Sequence, residues 1–267
     1  MKKILIVGAN SYIGNEFEKH VMNKCSCHEE IQTKDQIIIE KVHASNGDWK
    51  YVNYEQYDVV IVLAAIVHQK EKSGMEELYR QVNYNMPIEI ATKAKSAGVK
   101  QLIFMSTAAV YGSAVTHITK DTEPNPDTLY GKSKLEAEYR LREMDTEEFR
   151  VAIIRPPMVY GEGCKGNYTR LVKLATYNPI YPKIHNKRSM IQIDRLCEFM
   201  EEVIRNSRSG LLLPQDEVYA DTIMTIKRIR MAQGKRTVLV PATAWVVRLV
   251  MKHVGVVRKV FGDWWYE

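Results

Sequence analysis

The sequence KKILIVGANSYIG, residues 2–14, decides the fold. Four consecutive apolar residues, Ile4–Val7, lead into a turn that contains Gly8 and Gly14, and a helix-like stretch follows. In this strand–turn–helix order, backbone N–H groups and a helix N-terminus hold a dinucleotide pyrophosphate. Ser11 stands where a central glycine is usual, so its side chain narrows the space for phosphate. The residues predicted to contact the cofactor here are Gly8, Asn10, Ser11, Tyr12, Ile13 and Gly14.

Short β-branched runs recur over the first 154 residues, with apolar residues on consecutive positions, as in strands buried on both faces of a parallel sheet. Helical stretches at Ile13–Lys24, Met75–Ala97 and Tyr130–Met144 separate most of these runs. The alternation predicts an α/β fold, a Rossmann-like doubly wound parallel sheet with right-handed crossovers. The predicted strands are Ile4–Val7, Ile37–Val42, Val59–Leu63, Gln101–Met105 and Val151–Ile154.

After residue 154, prolines mark loops and the alternation stops. We expect these loops to form a small C-terminal substrate-binding lobe over the carboxyl edge of the sheet. The predicted division is a dinucleotide-binding domain over residues 1–157 and the lobe over 158–267, with residues 188–213 returning to the main domain.

Composition excludes several classes of protein. With 45% hydrophobic and 26% charged residues, the 267-residue chain has an ordinary globular balance. Its four cysteines show no C-x-x-C spacing, so we expect reduced thiols and no metal site. The N-terminus lacks the apolar segment of a signal peptide, and the longest apolar run, residues 59–67, is too short to cross a bilayer. These features predict a cytoplasmic protein.

The positive charge is concentrated near the C-terminus. Residues 227–267 hold nine Lys or Arg side chains and two acidic ones. Because the charge is terminal, it argues against a nucleic-acid-binding body. The predicted last helix, Thr243–Phe261, is basic and amphipathic. Two interpretations stay open, which are peripheral contact with an anionic membrane and docking onto the domain or a twin subunit.

A tyrosine and a lysine at i and i+4 share one helix face, at Tyr130 and Lys134. The helix follows Pro124 and Pro126, with Asp127 or Thr128 as its N-cap. A phenol titrates near pH 10, and an adjacent ammonium lowers that pKa toward the working range of an acid–base group. The pair therefore predicts a tuned proton donor.

Two hydroxyl residues, Ser106 and Thr107, end the fourth predicted strand. The carboxyl end of a central strand is where an open α/β sheet presents catalytic groups. Both are candidates to hydrogen-bond a substrate oxygen.

The choice of dinucleotide depends on the end of the second strand. No Asp or Glu follows that strand to bind the adenosine ribose, and Lys41 and His43 are positioned to face a 2′-phosphate. This pattern favours NADP, with NAD as the alternative.

The glycine-rich entry, the hydroxyl-bearing strand end and the Tyr130/Lys134 pair, in this order, resemble the extended short-chain dehydrogenase/reductases, and within them the nucleotide-sugar epimerases and ketoreductases. Further segments similar to that family are Val62–Ala65, Val82–Asn83, Arg155–Gly161 and Arg188–Asp194. The resemblance extends over most of the chain.

The resemblance implies roles for individual residues. Tyr130 would exchange the proton, Lys134 would tune it and hold the nicotinamide ribose, and Thr107 would orient the sugar oxygen. Arg188 would bind the nucleotide diphosphate, to which a guanidinium is suited. The cofactor site would be lined by Leu63, Ala64, Ala65, Asn83 and Pro156, and the substrate would be contacted by Lys165, Asn167 and His68 as well.

Relatives that dehydrate the sugar carry an acidic pair where this chain has Ala108 and Ala109, which cannot exchange protons. The resemblance therefore implies an NADP(H)-dependent reductase of a nucleotide-linked 4-keto sugar, of the UDP-4-keto-6-deoxy-N-acetylhexosamine type, in bacterial capsule or O-antigen synthesis. One alternative is an NAD-dependent nucleotide-sugar 4-epimerase, and another is a non-catalytic dinucleotide-sensing protein. Relatives often dimerise through two helices per subunit, which here would be Met75–Ala97 and Tyr130–Met144.

Overall fold

A computed structural model of the protein describes residues 1–27, 36–67, 74–119 and 121–267. Its strands are, in chain order, β1 Lys2–Val7, β2 Ile37–Val42, β3 Val59–Val62, β4 Gln101–Met105, β5 His117–Ile118, β6 Arg150–Ile154, β7 Met158–Tyr160, β8 Ile180–Pro182, β9 Met190–Gln192, β10 Gly210–Leu212, β11 Val238–Val240 and β12 Trp265–Tyr266. Its α-helices are α1 Tyr12–Cys27, α2 Glu76–Arg80, α3 Met86–Ser96, α4 Leu129–Arg142, α5 Asn167–Tyr177, α6 Ile193–Arg205, α7 Thr222–Ala232, α8 Ala244–His253 and α9 Gly255–Phe261.

The central sheet has the strand order β10-β6-β4-β3-β1-β2, and all its strands run parallel. The predicted α/β doubly wound fold is confirmed. β1 pairs with β2 on one side and with β3 on the other, so the direction of winding reverses there. A crevice at the carboxyl ends of the strands is the usual ligand site at such a reversal. The glycine-rich turn after β1 therefore lies at this point.

Alternation along each strand builds two cores, one on each face of the sheet. Leu5 and Val7 point to the face covered by α3 and α4, whereas Ile4 and Ile6 point to the face covered by α1 and α6. Burial on both faces explains why the strands have apolar residues on consecutive positions. The edge strand β10 extends this sheet beside β6.

A third core holds the smaller lobe together. Buried side chains of α5, α7 and β8 form its centre, and Ala244, Val247 and Phe261 of the last two helices pack against it. β7 pairs with β9, and β8 pairs with β11. The chain then ends in β12, which lies beside β5. The lobe is thus tied to the sheet domain by its last residues.

Two predicted helices are divided in the structure. The stretch predicted as Met75–Ala97 contains a π-helical turn, Gln81–Asn85, between α2 and α3. The stretch predicted as Thr243–Phe261 breaks at Val254, whose backbone is extended, with φ −115° and ψ 101°. No helix among the described residues is long and apolar enough to cross a membrane.

Candidate active site

Gly8 allows the ends of β1 and β3 to approach closely. Its φ is +121°, and a Cβ atom there would lie 2.9 Å from the backbone nitrogen of Ala64. Gly14 faces Leu63 in the same way, because a Cβ would lie 3.0 Å from Leu63 Cδ1. Both glycines are therefore needed for packing at the reversal point, where the predicted cofactor residues Leu63 and Ala64 also lie. Ala65 follows in the same loop.

The remaining residues of the turn divide between helix capping, core packing and exposure. The hydroxyl of Ser11 accepts a weak hydrogen bond from the backbone N–H of Gly14 at 3.4 Å, as an N-cap does. Asn10 is exposed, and Ile13 packs against the core beneath α1. Tyr12 donates a hydrogen bond to the carbonyl of Glu162 at 2.8 Å. Tyr12 therefore connects the glycine-rich turn to a loop of the smaller lobe.

The charges along β2 are paired within the protein. Lys41 donates to Asn15 Oδ1 at 3.0 Å and forms an ion pair with Glu18. Glu40 pairs with Lys3 at 2.8 Å between Nζ and Oε1. The prediction that Lys41 is directed to a 2′-phosphate is thus weakened, because α1 supplies its counter-ion. His43 lies just beyond the strand and is exposed.

Asn83 lies on the π-helical turn, fully buried, and its side chain is committed to other parts of the protein. Its Oδ1 accepts from the backbone N–H of Ile66 at 2.9 Å, and its amide donates to the hydroxyl of Ser133 at 3.1 Å. Ser133 in turn donates to the carbonyl of Tyr130 at 3.0 Å. Asn83 therefore connects the loop after β3 to helix α4. These bonds hold the loop after β3 in place, and the contact of Asn83 with the cofactor stays a prediction.

The start of α4 places Tyr130 beside Thr107. Thr128 caps the helix by accepting from the N–H of Gly131 at 3.0 Å, which selects it over Asp127 as the N-cap. A Cβ at Gly131 would lie 2.8 Å from the carbonyl oxygen of Ala109, so the glycine allows α4 to contact the turn after β4. Tyr130 and Thr107 are joined by a side-chain hydrogen bond. The predicted acid and the predicted orienting hydroxyl are therefore neighbours.

Lys134 lies one turn further along α4 and is 1% exposed. Its Nζ lies 3.8 Å from the centroid of the Phe104 ring, and no hydrogen-bond partner for it is found among the described residues. Burial lowers the pKa of Lys134 to about 7, against a smaller upward effect from the carboxylate of Glu138. A buried amine of this kind is costly unless a ligand supplies acceptors.

Tyr130 is partly exposed, yet its surroundings raise the pKa of its phenol to about 12. Desolvation is the main cause, and the hydrogen bond with Thr107 opposes it. The expected lowering of this pKa by Lys134 is therefore absent in the protein alone. Because Lys134 loses its own proton readily, its charge does little to stabilise the phenolate.

Ser106 belongs to a buried ionic network. Its hydroxyl donates to the carboxylate of Glu138, which also accepts from Arg155 Nε at 2.9 Å. Tyr266, the penultimate residue, donates from its hydroxyl to the carbonyl of Arg155 at 2.9 Å. Ser106 is 3% exposed. Its hydroxyl is thus bonded inside the protein, whereas the hydroxyl of Thr107, the next residue, bonds to Tyr130, and the contact of Ser106 with substrate stays a prediction.

The other predicted site residues differ in their placement. The guanidinium of Arg188 donates to the carbonyl of Gly262 at 3.1 Å, and burial lowers its pKa. Lys165 and Asn167 are exposed near the start of α5. Pro156 is buried, and its carbonyl accepts from the N–H of Ala108 at 3.1 Å. His68 lies outside the described residues.

Carboxylates are missing from the turn after Thr107, which is a short helical turn over Ala108–Tyr111. Within the parts of the chain that the structure describes, no three His, Cys, Asp or Glu side chains form a group that could hold a metal ion. The predicted acid–base residues nearest this turn are Tyr130, Thr107 and Lys134.

Residues 4–206 match the family model described as "NAD dependent epimerase/dehydratase family". The chain belongs to this family. It is therefore an NAD(P)-dependent enzyme of the short-chain dehydrogenase type, and the predicted family is confirmed.

Comparison with individual proteins agrees with the family assignment. The chain is 28% identical over 271 aligned positions to UDP-glucose 4-epimerase of Vibrio cholerae, covering 95% of this chain and 83% of that protein. A dTDP-4-dehydrorhamnose reductase from Bacillus anthracis in complex with NADP superposes with a TM-score of 0.70 at 17% identity, over 90% of this chain and 83% of that chain. UDP-glucuronic acid 4-epimerase from Bacillus cereus in complex with NAD superposes with a TM-score of 0.70 at 18% identity, over 89% of this chain and 85% of that chain. At these identities the two structures show a shared fold.

Sequence reasoning missed three contributors to the site. These are the link from Tyr12 to Glu162, the Glu138–Arg155 pair and the docking of Tyr266. A signal for the ion pair was present, because Glu138 follows Lys134 by four residues and so lies on the same face of α4. The other two join residues 150 and 111 positions apart, for which the sequence carried no local signal.

Proposed function

We propose that this enzyme transfers hydride between a nicotinamide dinucleotide and C4 of a nucleotide-linked sugar. The observation that carries the proposal is the hydrogen bond between Tyr130 and Thr107, one helical turn from the buried amine of Lys134. A proton donor, an orienting hydroxyl and a cation in this arrangement match the needs of carbonyl reduction or alcohol oxidation.

Several residues fit a dinucleotide at the reversal point of the sheet. The N–H groups of the turn from Gly8 to Gly14 and the start of α1 suit its pyrophosphate. The amine of Lys134, which has no partner among the described side chains, suits its ribose hydroxyls. Leu63, Ala64, Ala65 and Pro156 line the same carboxyl edge of the sheet. When bound there, the dinucleotide supplies or accepts the hydride.

The chain's own groups handle the proton. In the direction of reduction, Thr107 donates to the sugar carbonyl and holds it against Tyr130, and the Tyr130 hydroxyl releases its proton to the oxygen that becomes the C4 alcohol. Lys134 must be cationic to stabilise the resulting phenolate, and acceptors from a ligand raise its pKa from about 7. The buried amine thereby makes proton transfer depend on a filled site.

The smaller lobe supplies groups for the diphosphate of the substrate. Arg188 uses one bond to Gly262 and has further N–H donors, and its burial favours a charged anionic partner. Lys165 and Asn167 lie on the loop and helix start that follow β7. We assign these three residues to the diphosphate of the substrate, and Thr107 and Tyr130 to its sugar.

Among the reactions at C4, we favour reduction of a 4-keto sugar by NADPH, as in surface polysaccharide synthesis. Residues 43–47, which follow β2, include no carboxylate for an adenosine ribose. Ala108 and Ala109 remove the acidic pair that dehydration requires. Both features are compatible with reduction at C4 by Tyr130, Thr107 and Lys134.

Epimerisation at C4 is the second candidate. The pairing of Lys41 with Glu18 favours it, because that lysine then offers less charge to a 2′-phosphate and NAD becomes the better ligand. The relative from Vibrio cholerae is also named as a 4-epimerase.

Two incubations of the purified chain separate the candidates. The first supplies UDP-4-keto-6-deoxy-N-acetylglucosamine with NADPH and follows loss of the reduced cofactor. The second supplies UDP-glucose or UDP-N-acetylglucosamine without cofactor and follows the C4 epimers by chromatography. Stoichiometric oxidation of NADPH supports the reductase. Epimer formation with NAD found in the protein refutes the reductase and supports the epimerase, and inertness in both refutes the proposal for these substrates.

A further inference from the structure

A long stretch near the C-terminus has charge of one sign. Residues 222–262 contain nine Lys or Arg side chains and no Asp or Glu. The stretch covers α7, β11, α8 and α9. None of the proposed catalytic or cofactor residues lies in it, so its charge calls for a separate explanation.

Helix α8 has an inner and an outer face. Ala244 and Val247 pack against the core of the smaller lobe. Trp245, Arg248, Leu249 and Lys252 occupy positions i, i+3, i+4 and i+7, which place them together on the outer face. We call these four residues the outer face of α8.

Large apolar side chains on this outer face are open to solvent. Trp245 is 67% exposed and Leu249 is 52% exposed. Just beyond the break at Val254, Val256 at the start of α9 is 73% exposed. Arg248 and Lys252 lie between and beside these side chains and are also exposed. Exposed tryptophan and leucine alternating with cations is the composition of a helix that lies in a lipid–water interface.

We propose that the outer face of α8 docks on an anionic lipid bilayer. The cations would meet lipid phosphates, while Trp245 and Leu249 would enter the boundary with the acyl chains. Charge complementarity favours this occupant over a second copy, because a two-fold contact through this face would bring Arg248 and Lys252 of both copies into one interface, and residues 222–262 contain no carboxylate to pair with them. The docking depends neither on the cofactor nor on the sugar substrate.

The test is co-sedimentation of the full chain with vesicles. One set contains phosphatidylcholine alone, and the other contains roughly one quarter phosphatidylglycerol. We expect sedimentation with the anionic set that weakens as salt is raised, and none with the neutral set. The double variant Arg248→Glu/Lys252→Glu should lose at least about 25-fold in partition, at about fivefold for each lost cation.

Matched variants separate docking from general effects of charge or folding. Lys50→Glu/Lys100→Glu makes the same change of charge at exposed positions of the sheet domain and should sediment as the wild type does. Trp245→Ala/Leu249→Ser leaves the charge unchanged and should also lose vesicle binding. The far-ultraviolet circular dichroism of each variant checks that it is folded.

Three results overturn the proposal. One is a wild-type chain that stays in the supernatant with anionic vesicles. Another is unchanged sedimentation of both outer-face variants. The third is a solution dimer that Trp245→Ala/Leu249→Ser dissociates while vesicle binding stays as it was, which assigns the face to a second copy.

Discussion

Adding one methyl group at Gly131 tests the close contact that places Tyr130. A Cβ there would lie 2.8 Å from Ala109 O and 2.9 Å from Pro126 Cβ, and real Cβ atoms essentially never come closer than 3.0 Å. Two neighbours must therefore move, by roughly half an ångström to reach ordinary contact. Ala109 N–H donates to Thr107 Oγ1 at 3.1 Å, so displacement of this turn also displaces the predicted orienting hydroxyl.

Gly131→Ala should therefore reduce turnover much more than stability. Misplacing reacting groups by a fraction of an ångström to 1 Å lowers rates by about 10-fold to 100-fold. Overpacking costs about 1–3 kcal/mol, and the gain in helix propensity returns about 1 kcal/mol, so the free energy of unfolding should fall by no more than about 2 kcal/mol.

The assay is kcat at saturating substrate together with urea unfolding, for Gly131→Ala and for a matched control. Gly255→Ala adds the same methyl group at the start of α9, where no atom lies within 4 Å of the new Cβ. The control should keep wild-type kcat. If Gly131→Ala also keeps wild-type kcat, the contact between α4 and the turn after Thr107 does not position the catalytic pair.

Three further perturbations test burial and hydrogen bonding around the site. Lys134→Met should abolish turnover yet raise the free energy of unfolding near pH 7 by up to about 3–5 kcal/mol, because burial lowers the pKa of Lys134 to about 7. Between pH 7 and pH 10 the unfolded wild-type chain binds more protons than the folded one, so wild-type stability should rise over this range. The stability of the variant should not rise. Glu138→Gln should cost about 3–5 kcal/mol in urea unfolding, since it leaves the guanidinium of Arg155 buried and unpaired, whereas Glu198→Gln in an exposed ion pair should change stability by less than about 1 kcal/mol; equal losses would contradict the account. Asn83→Ala should lower the free energy of unfolding by about 1–3 kcal/mol, because it leaves the backbone N–H of Ile66 without its acceptor. It should also weaken NAD(P) binding, measured by fluorescence titration, and wild-type affinity would refute the role of Asn83 in positioning the loop after β3.

The strands of the sheet were predictable because their burial is visible in the local pattern of apolar residues. Burial on both faces requires consecutive apolar residues, and the predicted bounds of Ile37–Val42 and Gln101–Met105 agree with the structure at both ends. The cap of α4 was also readable to within one residue, since Thr128 and Asp127 are both good N-cap residues. Local patterns therefore located the elements that carry Tyr130 and Lys134.

The electrostatics of the site were not predictable from spacing. An i, i+4 pair shows that Lys134 is near Tyr130, but it does not show how deeply the two groups are buried. Burial raises the pKa of Tyr130 and lowers the pKa of Lys134, so both groups favour their neutral forms. Likewise, the availability of the Lys41 charge for a ligand depends on its ion pair with Glu18, which lies on helix α1. The π-helical turn carries Asn83, whose hydrogen bonds to Ile66 and Ser133 join residues far apart in the sequence, and neither helix propensity nor periodicity predicts such bonds.

The turnover of Tyr130→Phe tests the central claim, which is that the phenol hydroxyl carries the proton of a hydride transfer. This variant removes one oxygen and keeps the ring, so NAD(P) affinity should stay near that of the wild type. We predict that kcat falls by about 100-fold to 10,000-fold on whichever C4 substrate the wild type converts. A folded variant that binds the dinucleotide and turns over at the wild-type rate would show that another group moves the proton.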